Sequence, residues 1–295
     1  MLSYQHEYHA GNHADILKHI CLTAILSSLC KKDKPFTVID SHAGAGRFSL
    51  DDERLLKTGE AQEGIERLMQ RIEIQETALP EPVARYIALQ RPYFKKRLYA
   101  GSPELERLCS REQDHIFLVE KHPQAIEQLK ANVSLPVLTE EAVSPSDGQH
   151  RGARYTVLNE DSYKALTALT PPTVKRGLVI IDPSFEDAED YKRVARAVET
   201  VHRKWNTAII AVWYPLLVRR KNETAQMLTS LETTAKLGLH PCDCKRFELE
   251  VKAAETMTQE DGAHLYGSGI FVMNQPWQLE EQMSESVNYL KEILL

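Results

Sequence analysis

Residues 36–47 read Phe-Thr-Val-Ile-Asp-Ser-His-Ala-Gly-Ala-Gly-Arg. The first five form a short, largely apolar run. A strand that is apolar on both faces belongs in a parallel sheet covered by helices on each side. In the turn that follows, Gly44 and Gly46 lack a Cβ, so the backbone there can take positive φ and approach a ligand closely. A plain tight turn is the bland alternative. A nicotinamide site would want a third small residue where Ser49 stands, and an acid about 20 residues onward. Neither is present.

On both sides of this stretch the chain alternates between two periodicities. Before it, residues 12–31 place Leu17, Ile20, Cys21, Ala24, Ile25 and Leu29 at spacings of three and four, which predicts a helix with one apolar face and Asn12 as its N-cap. After it, residues 49–98 read as helices punctuated by Gly59, Pro80, Pro82 and Pro92. Strands are then expected at 115–121, 156–160, 176–183, 207–215, 244–251 and 269–274. Helices are expected at 123–131, 162–169, 188–205, 222–236 and 278–293. Strand–helix alternation predicts a doubly wound, mostly parallel α/β sheet. The last two strands are joined without a helix, so an antiparallel edge pair is expected. The domain reading is 1–48 with 99–295, interrupted by a helical insertion at 49–98.

Composition bounds the class. The chain has 295 residues, 42% hydrophobic and 26% charged, which excludes disorder and collagen-like repeats. No apolar run is long enough for a membrane span, and the N-terminus lacks a secretion signal, so a cytoplasmic protein is expected. Five cysteines at irregular spacing fit free thiols. Cys242 and Cys244 lack a second pair to complete a zinc site, and no metal is expected. The net charge of −6 argues against a purely electrostatic nucleic-acid binder. Residues 83–98, however, carry Arg85, Arg91, Lys95, Lys96 and Arg97 without an acid. They are a candidate phosphate-binding face, or simply a solvated helix surface.

In doubly wound sheets, ligands bind at the carboxyl ends of strands. Glu120 ends the second expected core strand. A carboxylate there can accept from two ribose hydroxyls, or merely face solvent. Asp161-Ser162 follows the next strand, where Asp161 could receive an adenine amine or cap a helix. Asp182-Pro183-Ser184-Phe185 follows the wholly apolar LVII and is either a plain strand-end turn or a site for adenine methylation. The exocyclic amine of adenine is a poor nucleophile because its lone pair is delocalised into the ring. A carboxylate and the proline carbonyl can accept both N–H hydrogens and turn that lone pair toward a methyl donor. An aromatic ring two residues on could stack on a base drawn out of its helix, worth about 1–3 kcal/mol, against a flipping cost of a few kcal/mol. The N-terminal set Tyr4, His6, His9, His13, Lys18 and His19 is either a surface scatter or part of the ligand edge.

Several blocks together resemble one family. MLSYxHxxHAGNHADxLKH at 1–19, DxHAGAGRF at 40–48, TGExxEGI at 58–65, GSP at 101–103, REQD at 111–114 and Asp-Pro-x-aromatic at 182–185 are similar to the RlmJ family of bacterial 23S ribosomal RNA adenine-N6 methyltransferases. The resemblance implies a Rossmann-like, S-adenosylmethionine-dependent fold with a small helical insertion. It implies that Lys18, His19, His42, Ser102, Glu120, Asp161 and Ser162 line the cofactor, beside Gly44, Gly46 and Asp182. It further implies that Asp182 is the catalytic carboxylate, and that Tyr4 and His6, with Lys18, place the substrate adenine. The expected partner is 23S ribosomal RNA, bound by a monomer away from any membrane. Two positions depart from the family pattern: Asp-Pro-Ser-Phe stands where the family resembles Asp-Pro-Pro-Tyr, and Ser162 where it resembles glycine. Two other readings stay open. One is a nucleic-acid-binding protein that has lost turnover. The other is a DNA-directed adenine methyltransferase, since relatives are described as involved in using external DNA.

Overall fold

The computed structural model describes residues 8–74, 78–139, 154–253 and 265–295. Among the described residues, seven strands form one sheet: β1 (Thr37–Asp40), β4 (His115–Val119), β5 (Arg154–Leu158), β6 (Gly177–Ile181), β7 (Ile209–Leu217), β8 (Cys244–Glu250) and β9 (Leu265–Met273). Their order is β5-β4-β1-β6-β7-β9-β8. The first five pair in parallel, and β9 runs antiparallel to both β7 and β8. The expected antiparallel pair is therefore present, with β8 as the edge. The order reverses between β1 and β6, which lie side by side, and that switch opens a crevice at their carboxyl ends.

The apolar runs explain why both faces are covered. In β6, Leu178 and Ile180 enter one core, while Val179 and Ile181 enter the other. Successive side chains point to opposite faces, so a strand of this composition must be buried on both sides. Helices α7 (Ser162–Leu169), α8 (Ala188–Lys204) and α9 (Lys221–Leu237) cover one face. The other is covered by α1 (His13–Cys30), α5 (Ser102–Cys109), α6 (Pro123–Ser134) and α10 (Leu279–Leu294).

Residues 49–98 are largely helical, as expected. They hold α2 (Glu53–Thr58), a π-helical turn at Gln62–Glu66, α3 (Arg67–Ile74) and α4 (Glu81–Phe94). A short antiparallel pair, β2 (Arg47–Ser49) and β3 (Leu98–Ala100), closes the base of the segment. Ile65, Leu68, Val83, Tyr86 and Ile87 join the same core as α1 and the sheet. This changes the reading of α1. Its limits and its Asn12 cap are as expected, with Asn12 Oδ1 accepting from the Asp15 N–H at 2.9 Å. It does not, however, have one apolar face and one wet face. Ala14 through Leu26 are buried on every side, because the helical segment packs on the flank that the sheet leaves open.

Candidate active site

The carboxyl ends of β1, β4, β5 and β6 surround a cavity of about 410 Å³, within the ordinary range for small-molecule sites. Its walls are built from turns that leave the strands together. Lys18, His42, Gly44, Glu120, Asp161 and Asp182 all line it.

Asp182 follows β6 directly. Its Oδ2 accepts from the Lys18 ammonium at 2.5 Å. Lys18 comes from the second turn of α1 and is 5% exposed. Burial would favour the neutral amine, but the charges of Asp15 and Asp182 outweigh it and hold the proton more firmly than usual. Asp15 Oδ1 takes the ammonium from the other side at 2.9 Å. Among the described residues, Asp182 Oδ1 has no protein partner. One oxygen of this carboxylate is thus committed and the other is available to a ligand.

Asp40 ends β1 one strand away and is fully buried. Its Oδ2 accepts from the Ser102 hydroxyl at 2.7 Å, and its Oδ1 accepts from the His42 N–H at 3.1 Å. Burial pushes its carboxyl up to about 6, despite those two donors. Ser102 spends its only hydrogen on Asp40, so toward the cavity it can only accept. Ser41 donates to the Ile180 carbonyl at 2.9 Å. The 2.8 Å contact between Ser41 Oγ and His42 Nδ1 therefore has the ring as donor, and Nε2 carries a lone pair. Burial depresses His42 to about 4, so the ring is neutral.

Glu120 takes two backbone donors, Gly44 N–H at 2.8 Å and His122 N–H at 2.6 Å. Gly44 sits at φ 62°, which lets its amide turn to the carboxylate. Each carboxylate oxygen keeps a further lone pair. Asp161 shows the role of a helix cap: Oδ1 accepts from the Lys164 N–H at 3.3 Å and Oδ2 pairs with Lys121 at 3.0 Å. Burial alone would raise its pKa, but Lys121 and the helix amides hold it below the usual carboxylate range. Ser162 is buried at the first helical position and also lines the cavity. A neutral imidazole, an acceptor-only hydroxyl and an acid between two amides suit a ligand with hydroxyls, an ammonium and a ring. S-adenosylmethionine has all three.

Two expected site residues, Phe185 and Gly46, are placed differently. Phe185 does not present a stacking face. Its ring is 1% exposed, lies 4.7 Å from the Tyr191 ring and 6.0 Å from Trp213, and belongs to the core under α8. The chain reaches this position with φ 50°, unusual for a residue with a Cβ, so the turn aims the ring inward where burial rewards it. Gly46 sits at φ 76° behind the crevice wall, against Leu129 and Pro103, and its carbonyl accepts from the Gly101 N–H. His19 does reach the cavity, but its Nδ1 bonds Tyr99 at 2.7 Å, which ties the ring to the buried Tyr86–Tyr99 pair. Pro183 lines the cavity as expected. Tyr4 and His6 lie outside the described residues.

Sequence reasoning assigned no role to Asp15, Asp40 or Ser41. The position of Asp40 at the end of the deciding strand was the available signal. Asp15 stands three residues before Lys18 on the expected helix, a local spacing that the sequence reading did not use. The basic segment is not one positive face. Arg85 pairs with Glu81 at 2.6 Å, and Arg97 pairs with Asp51 and Glu66 at 2.9 and 2.7 Å. Arg91, Lys95 and Lys96 remain exposed.

Comparison with known proteins places this architecture. The family described as "Ribosomal RNA large subunit methyltransferase D, RlmJ" matches residues 33–295. The chain is 36% identical over 293 residues to ribosomal RNA large subunit methyltransferase J of Escherichia coli (strain K12), covering 98% of this chain and 93% of that protein. It is 37% identical to the protein of the same name from Haemophilus influenzae, covering 100% of this chain and 95% of the other. A crystal structure of a protein from Legionella pneumophila str. Philadelphia 1 superposes with a TM-score of 0.79 at 29% identity, covering 97% of this chain and 94% of that one. With the match spanning most of the sheet and its crevice, the chain belongs to the RlmJ family of ribosomal RNA large subunit methyltransferases.

Proposed function

We propose that this chain methylates the N6 amine of an adenine in 23S ribosomal RNA, using S-adenosylmethionine as donor and an adenine drawn out of its helix as acceptor. Family membership makes it a ribosomal RNA methyltransferase. The observation that carries the finer reading is Asp182, which closes β6 with one oxygen on Lys18 and the other open to the cavity.

Bound in the crevice, the donor supplies a methyl group on a positively charged sulfur. Glu120 and Asp161 are proposed to hold its ribose and base, and Ser102, which can only accept there, its ammonium. His42, neutral with Nε2 unprotonated, adds an acceptor without a competing charge. Asp182 Oδ1 and the Pro183 carbonyl accept the two amine hydrogens. That localises the nitrogen lone pair and aims it along the line of the transfer. Orientation supplies most of the acceleration, because a bound, aligned pair reacts as one unit. As the nitrogen–carbon bond forms in place of the sulfur–carbon bond, whose electron pair would stay on a neutral thioether, Asp182 Oδ1 would take the proton that the amine loses. Tyr4 and His6, with Lys18, are proposed to place the adenine. With Phe185 in the core, its ring is not assigned a stacking role.

The test is transfer of labelled methyl to protein-free ribosomal RNA from cells lacking this gene, followed by digestion to nucleosides. Label in N6-methyladenosine from 23S RNA is expected. Donor binding without incorporation would instead favour a binding protein, and incorporation into DNA alone would favour the DNA-directed reading.

A further inference from the structure

Asp15 sits in the first turn of α1, 2% exposed, and takes no part in the chemistry above. Its two oxygens divide their work. Oδ2 accepts from the Gly11 N–H at 2.9 Å, and Oδ1 holds the Lys18 ammonium at 2.9 Å. Its own N–H is fixed by the Asn12 side chain, whose amide donates to Glu60 Oε2 at 2.8 Å. Glu60 Oε1 in turn contacts His9 Nδ1 at 2.9 Å. Gly64 seats the helical segment against this turn. A Cβ there would run into the Gly11 carbonyl and the Asn12 backbone. An unbroken set of polar contacts thus runs from the segment at 58–66, through Asn12, Asp15 and Lys18, to Asp182.

We propose that Asp15 is a positioning residue for methyl transfer: it holds the Lys18 ammonium to one side, so that Lys18 engages only Oδ2 of Asp182 and leaves Oδ1 for the substrate amine. The physical reason is a division of charge. Two carboxylates share one buried cation. If Asp15 were neutral, Asp182 would be the nearest remaining counter-charge, and the ammonium would centre on it. A carboxylate straddled by an ammonium is a poorer acceptor for an amine hydrogen. The inference rests on the reading that Asp182 receives the amine.

The experiment compares Asp15→Asn, Asp15→Glu and Asp182→Asn in the full chain. It measures kcat and KM for RNA, the Kd for S-adenosylmethionine by calorimetry, and folding by circular dichroism. Asp15→Asn is expected to lower kcat tenfold or more, while KM and Kd stay within about threefold. Asp15→Glu keeps the charge but moves it by one methylene, and is expected to fall between Asp15→Asn and wild type. Wild-type kcat in either folded variant overturns the proposal, as does a parallel loss in kcat, KM and Kd, which marks a merely structural role. If Asp15→Asn does not fold, the kcat of Asp15→Glu alone decides. Asp182→Asn separates the two failures: full turnover there refutes the role of Asp182 itself, while an inactive Asp182→Asn beside a normal Asp15→Asn refutes only this inference.

Discussion

Replacing Asp182 with alanine removes the carboxylate that the chemistry needs and also half of the counter-charge around Lys18. From sequence the variant is expected to lose activity and fold normally. The structure changes the second half of that expectation. Breaking a buried ion pair by deleting one partner typically costs about 3–5 kcal/mol when the survivor is left uncompensated. Here Lys18 keeps Asp15 at 2.9 Å, and the Asp182 side chain is 17% exposed. The cost should therefore fall below that range, at about 1–3 kcal/mol, the scale of a lost charged hydrogen bond. Lys18→Met is the informative contrast. It leaves Asp15, whose side chain is 3% exposed, and Asp182 both without their cation, so it should reach the full ~3–5 kcal/mol. Urea melts monitored by circular dichroism give the two stabilities, and methyl incorporation into ribosomal RNA gives turnover. Asp182→Ala should lower turnover by at least two orders of magnitude, in line with the ~10²–10⁴-fold usual for a positioned proton acceptor. An Asp182→Ala variant less stable than Lys18→Met would refute the charge accounting, and one with near-normal turnover would refute the assignment of the carboxylate.

Phe185→Ala should cost about 3–5 kcal/mol, as expected for a large ring removed from a core; unchanged stability with a raised KM for RNA would restore the stacking role. Gly64→Ala should destabilise by about 1–3 kcal/mol, because the new Cβ displaces the Gly11–Asn12 backbone; a normal melt would show that this contact yields freely. His42 titrates near 4 folded against an ordinary 6.5, so the folded state binds fewer protons and stability falls as pH drops from about 6.5 toward 4. Asp40 works in the opposite sense, with a folded value near 6 against 3.8, and its contribution is lost as pH rises through 6. His42→Asn should therefore flatten the acid-side loss in urea melts between pH 6.5 and 4, and an unchanged slope would refute its neutral state. If Arg91, Lys95 and Lys96 touch RNA phosphates, neutralising all three should reduce the slope of log affinity against log salt by about 0.7 per lost contact to single strands; an identical slope would return them to a solvated surface.

The elements themselves were legible because their signals are local. Wholly apolar strands such as 178–181 can only be buried on both faces, and their alternation with helices leads to a doubly wound sheet. The carboxyl-end positions of Glu120, Asp161 and Asp182 followed from that alternation. Phe185 was misplaced for a reason that a linear reading cannot repair. An aromatic beside a catalytic turn can face the ligand or the core, and the choice depends on one backbone dihedral and on Tyr191 and Trp213, which arrive from other elements. The single apolar face expected for α1 failed likewise, because the helical segment that covers its outer flank lies at 58–94.

The order of apolar and polar residues was thus enough to determine the strands of the main sheet, most of the helices and the edge from which the chemistry must come, but not the short helix α5 or the β2–β3 pair. Tertiary structure alone decided which polar groups remote in the chain meet. Lys18 and Asp182 are 164 residues apart in the chain, and Asn12 and Glu60 are 48 apart. Hydrophobic burial has no preferred direction and can be read as a pattern, whereas an ion pair or hydrogen bond exists only when two particular atoms come within about 3 Å, and that distance is set by how the packed layers bring remote turns together.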